Sequence, residues 1–243
     1  GSNIANILLI LGIAAVIAPV PVDKSILRRD GSVLVLSSVA ALIIVIVGSL
    51  GRLAGLALIA LLIIYVVRSY MVERANTAAT KAEQAIKPDK TANIPLSIAF
   101  ALGGLALTIL GARFLVSSAV ELATDFGVSQ TIIGLTVVAI GTSLPELVTT
   151  VIAAIRKQTD LALGNIIGSN IFNIFGILGV TALVQPIPVP PEIIRLDIWV
   201  MLGVTAVMLF FAYTERRFVR WEGAVFLVGY AAYIGWLALA TQL

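Results

Sequence analysis

Histidine and cysteine are both absent from these 243 residues, and only 12% of the residues are charged. Without them the chain cannot build a serine–histidine–aspartate triad, a cysteine nucleophile, a disulfide framework or a conventional structural zinc site. The scarcity of charge excludes a soluble domain, in which roughly a quarter of residues are charged. Period-two alternation is also missing, so the apolar runs are not strands of a barrel, and a lipid-exposed strand edge is forbidden. The first apolar stretch lacks the basic segment and cleavage pattern of a signal peptide, and a net charge of +3 points to no nucleic-acid role.

What is present is apolar surface: 60% of residues are hydrophobic and the mean hydropathy is +1.08. Runs of about 20 residues match the hydrocarbon core of a bilayer. Eight spans are expected, at 2–19, 32–50, 53–72, 95–120, 128–155, 161–184, 193–213 and 218–241. Leu161 to Pro191 carries no charge at all. Between the third and fourth spans, Glu73 to Asn93 holds seven of the 29 charged residues and reads as a polar connector, partly helical through its alanines. It divides the chain into 1–72, a connector at 73–94, and 95–243.

The cationic residues alternate between loops. Lys24, Arg28, Arg29, Arg68, Arg74, Lys81, Lys87, Lys90, Arg156, Lys157, Arg216, Arg217 and Arg220 fall on one side, and Arg52 and Arg195 on the other. The positive-inside rule places the first group, and with it the connector, in the cytoplasm. Arg113 lies within a span; it and Glu121 are expected to snorkel or pair near a helix end. Trp199, Trp221 and Trp236 read as interfacial anchors.

An internal repeat is the most informative feature. Residues 1–30, GSNIANILLILGIAAVIAPVPVDKSILRRD, align without a gap on residues 168–197, GSNIFNIFGILGVTALVQPIPVPPEIIRLD, with 16 identities in 30. The match resumes after one inserted residue, with Arg52 and Gly55 on Arg220 and Gly223. Five spans separate equivalent points. Five is odd, so the copies enter the membrane in opposite directions, as in the inverted repeats of secondary transporters. The second copy has two spans ahead of its GSN that the first lacks, so the chain reads as truncated within a first repeat of a ten-span molecule. The fold expected is all-α: a polytopic membrane protein of inverted five-helix repeats, about eight helices of which are present here.

Glu146 is the only acidic residue between Val128 and Ile155, and a carboxylate inside a span needs a partner or a water-filled cavity. Ala139, Thr142, Ser143 and Glu146 stand at i, i+3, i+4 and i+7, one helical face. Pro145 and Gly141 are expected to free carbonyl oxygens near residues 139–142. In the next span Ser169 and Asn173 share a face, and Gly164 and Gly168 allow close helix approach. Ser2 and Asn6 are their equivalents in the first copy. Carboxylate, hydroxyl, amide and carbonyl oxygens suit Ca2+ or Na+. Against this, Glu146 could be a structural carboxylate paired with Arg113, the Thr142 and Ser143 hydroxyls could bond back to the preceding turn, and the asparagines could be interhelical glue.

The segment GTSLPELVTTVIAAIRKQTDLALGNIIGSNIFN, Gly141 to Asn173, resembles the alpha repeat of the sodium/calcium exchangers of the cation/calcium antiporter superfamily. Nearly the whole chain shares the likeness, Gly1 onward resembling the tail of the first alpha repeat. The resemblance implies ten helices in inverted repeats, and ion coordination by Thr142, Ser143, Glu146, Ser169 and Asn173 with Ser2 and Asn6. It implies calcium export coupled to sodium entry, no cofactor, and calcium, sodium and the lipid bilayer as partners in a plasma or inner membrane, with the helix at about 95–120 moving against the rest. Two departures stand out: the first GTSLPE-like segment and its glutamate are absent, and Asn173 stands where several members have aspartate. GSN in place of the GNxxEH-like pattern of proton-coupled members favours sodium. The alternatives are calcium/proton exchange and a non-transporting membrane fragment or scaffold; an intramembrane hydrolase lacks a base to activate Ser143 or Ser169.

Overall fold

The structure, a computed structural model, describes residues 1–83, 94–128 and 130–240. Among them nine helices run in order: α1 (Ser2–Ile17), α2 (Lys24–Val47), α3 (Arg52–Glu83), α4 (Ile94–Asp125), α5 (130–142), α6 (Leu144–Ile155), α7 (159–184), α8 (Ile193–Thr214) and α9 (Arg220–Ala240). Six are long and apolar enough to span a membrane. The bent pair α5–α6 makes a seventh span, and α1 is a shorter apolar helix. Each of the eight expected segments is therefore helical, and the molecule is a polytopic membrane protein.

The differences lie at the boundaries and have local causes. Helix α2 begins at Lys24 rather than 32 because Asp23 caps it: its Oδ1 accepts the Ser25 N–H at 2.6 Å, satisfying one of the orphan donors of the first turn. The helix stops at Gly48, whose φ of 78° is the left-handed conformation that glycine supplies at a helix end. Helix α3 runs on to Glu83, taking in part of the expected connector, and 84–93 lie outside the described residues. The span expected at 128–155 is not straight: it bends by 51° between α5 and α6, at Ser143. Pro145 sits in the first turn of α6, where its missing N–H costs nothing, so the proline opens a new helix.

The two copies of the repeat are related by a pseudo-two-fold that is visible in the backbone. Four short strands pair antiparallel: β1 (Val20–Pro21) with β4 (Arg217–Phe218), and β2 (Ser49–Leu50) with β3 (Ile187–Pro188). The register Val20 to Phe218 in one sheet becomes Ile187 to Leu50 in the other, the exchange that the sequence alignment demands. The same pairing puts the loop of Lys24, Arg28 and Arg29 beside that of Arg216 and Arg217; the Val22 N–H donates to the Arg216 carbonyl at 2.7 Å. Helix contacts repeat too. A Cβ on Gly223 would stand 2.7 Å from the Gly12 carbonyl oxygen, and one on Gly55 would stand 2.8 Å from that of Gly179. Glycine at these points lets α1 meet α9, and α3 meet α7, backbone to backbone.

The core lies along α1 and α7, whose Ile7, Leu11, Ile166, Ile171 and Phe175 are sealed from the surface. Each of these central helices carries a π-helical stretch, Ala5–Leu11 in α1 and Asn173–Leu178 in α7, again at equivalent positions. Such wider turns redirect side chains and recur at functional sites.

Candidate functional site

The bend between α5 and α6 places Glu146 in the first turn of α6, where unpaired N–H groups and the helix dipole favour a negative charge. Its Oε2 is buried and has no hydrogen-bond partner. Ser169 of α7 lies by the carboxylate. Asn165, one turn earlier on α7, donates through Nδ2 to the Glu146 carbonyl at 3.3 Å and to the Thr150 hydroxyl at 3.0 Å. This amide ties α7 to α6 and fixes the backbone that carries the glutamate. Pairing of Glu146 with Arg113 does not occur: Arg113 is exposed, and the ion pair formed among the described residues is Arg29–Asp30 at 2.8 Å.

The hydroxyls expected beside Glu146 divide into two. Ser143, 4% exposed, sits at the bend itself, and its N–H donates to the Ala139 and Ile140 carbonyls at 3.3 and 3.1 Å. Thr142 donates its hydroxyl to the Val138 carbonyl at 2.9 Å and to that of Ala139 at 3.3 Å, bonding back to its own helix. The Ala139 carbonyl is thus engaged by two long contacts rather than free. Thr142 lines a crevice between α4 and α5 together with Arg113, Val116 and Pro145.

Across from this bend, α1 and α7 meet through four asparagines. Asn173 Nδ2 donates to Asn3 Oδ1 at 2.9 Å and to the Ser2 hydroxyl at 3.1 Å. Asn6 Nδ2 donates to Asn170 Oδ1 at 3.1 Å, and Asn3 Nδ2 to the Asn170 carbonyl at 3.2 Å. Since residue 3 is equivalent to 170 and residue 6 to 173, the bonds 173 to 3 and 6 to 170 are symmetry mates. Asn6 is 1% exposed and its Oδ1 has no partner. Helix α6 packs against the π-helical stretch of α1 that holds Asn6. Ser2, Asn6 and Asn173 are therefore gathered where α1 meets α7, and Ser169 lies by Glu146 where α7 meets α6, with Ser143 at the bend and Thr142 turned toward α4.

Sequence reasoning missed Asn3, Asn170 and Asn165. The signal was available for the first two, because both asparagines of GSNxxN recur in the two copies and only the second of each pair was nominated. For Asn165, nothing in the spacing announces a tether to another helix.

Two buried acceptors, Glu146 Oε2 and Asn6 Oδ1, have no hydrogen-bond partner among the described residues, and the Asn170 amide nitrogen is unpartnered as well. Leaving such atoms unmatched costs on the order of 1–3 kcal/mol each, more for a charge, so they call for a cation or a proton. The acceptors here are all oxygens, which is the chemistry of Ca2+ and Na+ rather than of softer metals.

Comparison with known proteins agrees with this reading. The family model described as sodium/calcium exchanger protein matches residues 1–71 and 96–239. The inner membrane protein YrbG of Escherichia coli (strain K12) is 37% identical over 245 residues, covering 98% of this chain and 74% of the relative. The sodium/calcium exchanger MaX1 of Methanosarcina acetivorans is 32% identical over 269 residues, covering 96% of this chain and 77% of the relative. A solved structure of the sodium-calcium exchanger NCX_Mj soaked with 2.5 mM Na+ and 0.1 mM Ca2+ superimposes with a TM-score of 0.75 at 31% identity, covering 96% of this chain and 73% of that one. A bent helix carrying a lone glutamate, an oxygen-lined junction between inverted copies, and relatives of this kind over almost its whole length together place the chain in the sodium/calcium exchanger family.

Proposed function

We propose that this protein exchanges Ca2+ for Na+ by alternating access, through one oxygen site at the junction of α1, α6 and α7. Glu146 supplies the negative charge for either cation. Ser143, Ser169, Asn6 and Asn173 supply neutral oxygens, with Ser2, Thr142 and the Ala139 carbonyl at the margins. Calcium takes six to eight oxygens in flexible geometry, and such a cluster of small polar side chains adapts to it. Competition for the shared carboxylate then couples the two fluxes without ATP. The observation that carries this reading is the buried, unpartnered Glu146 Oε2, which pairs with no cationic side chain among the described residues.

The expected location is the inner or plasma membrane, with 73–94 on the cytoplasmic side. The clustering of Lys24, Arg28 and Arg29 with Arg216 and Arg217 at one end of the bundle supports it. Vesicles holding the full-length protein test the function. An outward sodium gradient drives calcium uptake, and a pH gradient in sodium-free buffer does not. Uptake driven by the pH gradient alone would replace this reading with proton exchange, and uptake under neither gradient would refute it.

A further inference from the structure

An asparagine can offer a cation its Oδ1, or, turned by 180°, the amide hydrogens that repel one. Something must decide which. Asn3 Nδ2 donates to the main-chain carbonyl of Asn170 at 3.2 Å, and a carbonyl can only accept, so the orientation of Asn3 is set. Its Oδ1 therefore faces Asn173, whose Nδ2 donates to it at 2.9 Å, while the second amide hydrogen goes to the Ser2 hydroxyl at 3.1 Å. Both donors of Asn173 are consumed, and its Oδ1 accepts no hydrogen bond among the described residues. The other copy holds only part of this arrangement: Asn170 Oδ1 accepts from the Asn6 amide at 3.1 Å, but Asn170 Nδ2 and Asn6 Oδ1 are both buried without a partner, so no carbonyl sets the orientation of that pair.

We propose that Asn3 is a positioning residue that turns the amide oxygen of Asn173 toward the transported cation. This rests on the exchange site described above. Asn3 is 7% exposed and Asn170 is fully buried, so water does not substitute for either. The lock joins two elements: Asn3 on α1 is anchored to α7 and orients Asn173 there. A carboxylate at position 173 would need no such help, because its two oxygens are equivalent. The positioning requirement is thus specific to an asparagine there.

Equilibrium binding of radioactive calcium to the purified full-length protein tests the proposal. Asn3→Ala is expected to weaken calcium binding about tenfold, the worth of one net hydrogen bond. In an Asn173→Asp background the same Asn3→Ala change is expected to shift binding less than about twofold. Equal loss in both backgrounds would mean that Asn3 merely glues the helices, and no loss in either would overturn the proposal outright. Asn3→Leu, close to asparagine in shape but unable to hydrogen-bond, takes its place should Asn3→Ala fail to fold. It is expected to weaken binding in the parent and not in an Asn173→Asp background, and the opposite pattern overturns the proposal. Binding that follows these patterns in a protein whose vesicles show no exchange would sink the transport reading alone. A parent that binds no calcium would sink both.

Discussion

Glu146 shows how a single side chain is supported at a distance. The Asn165 amide spans α7 and α6, bonding the Glu146 carbonyl at 3.3 Å and the fully buried Thr150 hydroxyl at 3.0 Å. Removing it strands a buried hydroxyl and releases the first turn of α6. Asn165→Ala is therefore expected to lower stability by about 1–3 kcal/mol and to weaken calcium binding as well, measured by thermal unfolding in detergent and by titration. Loss of stability with unchanged binding would confine Asn165 to a packing role. At this scale the sequence exposed the charged and hydroxylic residues, because a carboxylate within a span and a face at i, i+3, i+4 and i+7 are visible as patterns. The partners of those residues were hidden, since the bonds of Asn165 to α6 and of Asn3 to α7 are made across helix interfaces that spacing does not encode.

Helices here are positioned by their ends and by their glycines. Asp23 caps α2 from outside the membrane, and the hydrogen bonds from Ser25 hold its carboxyl below the usual carboxylate range. A depressed folded-state pKa means that the cap contributes fully above the ordinary carboxylate value and is lost as pH falls through the folded value. Asp23→Ala is expected to lower the unfolding temperature near neutral pH and to make no difference once the buffer is acidic enough to protonate Asp23 in the parent. The close approaches are less forgiving. Gly55→Ala brings a Cβ to 2.8 Å from the Gly179 carbonyl oxygen, where backbone must move, and is expected to cost about 1–3 kcal/mol. Gly103→Ala meets open space and is the matched control, expected to be neutral or slightly stabilising because alanine is the better helix former; an equal loss in both would show that the contact at Gly55 is not the cause. The bend at Ser143 belongs to this scale too. Pro145 was legible as a perturbation of a helix, but a continuous apolar run could not reveal that the chain stops at Ser143 and restarts as α6.

For the whole molecule, the repeat was the most legible feature, because 16 matches in 30 residues survive in composition that is otherwise monotonous. The exchanged strand pairs β1–β4 and β2–β3 and the matched glycine contacts follow its correspondence, although the strands themselves are too short to leave a signal in the sequence. It also makes motion a matter of which parts are shared. Helices α1, α3, α7 and α9 are joined backbone to backbone, whereas α4 packs on α5 and α6. If α4 moves against the ion site, a disulfide between Val116→Cys and Gly141→Cys, across its closest approach to α5, stops exchange until it is reduced. A disulfide between Leu50→Cys and Ile187→Cys, partners in the β2–β3 sheet, leaves exchange running. The chain has no cysteine of its own to confuse either result. The account as a whole stands on one carboxylate serving two cations, and calcium binding titrated with sodium measures that directly. Sodium is expected to weaken calcium binding progressively in the parent, and Glu146→Gln to abolish high-affinity calcium binding. Calcium affinity indifferent to sodium, or intact in Glu146→Gln, would contradict it.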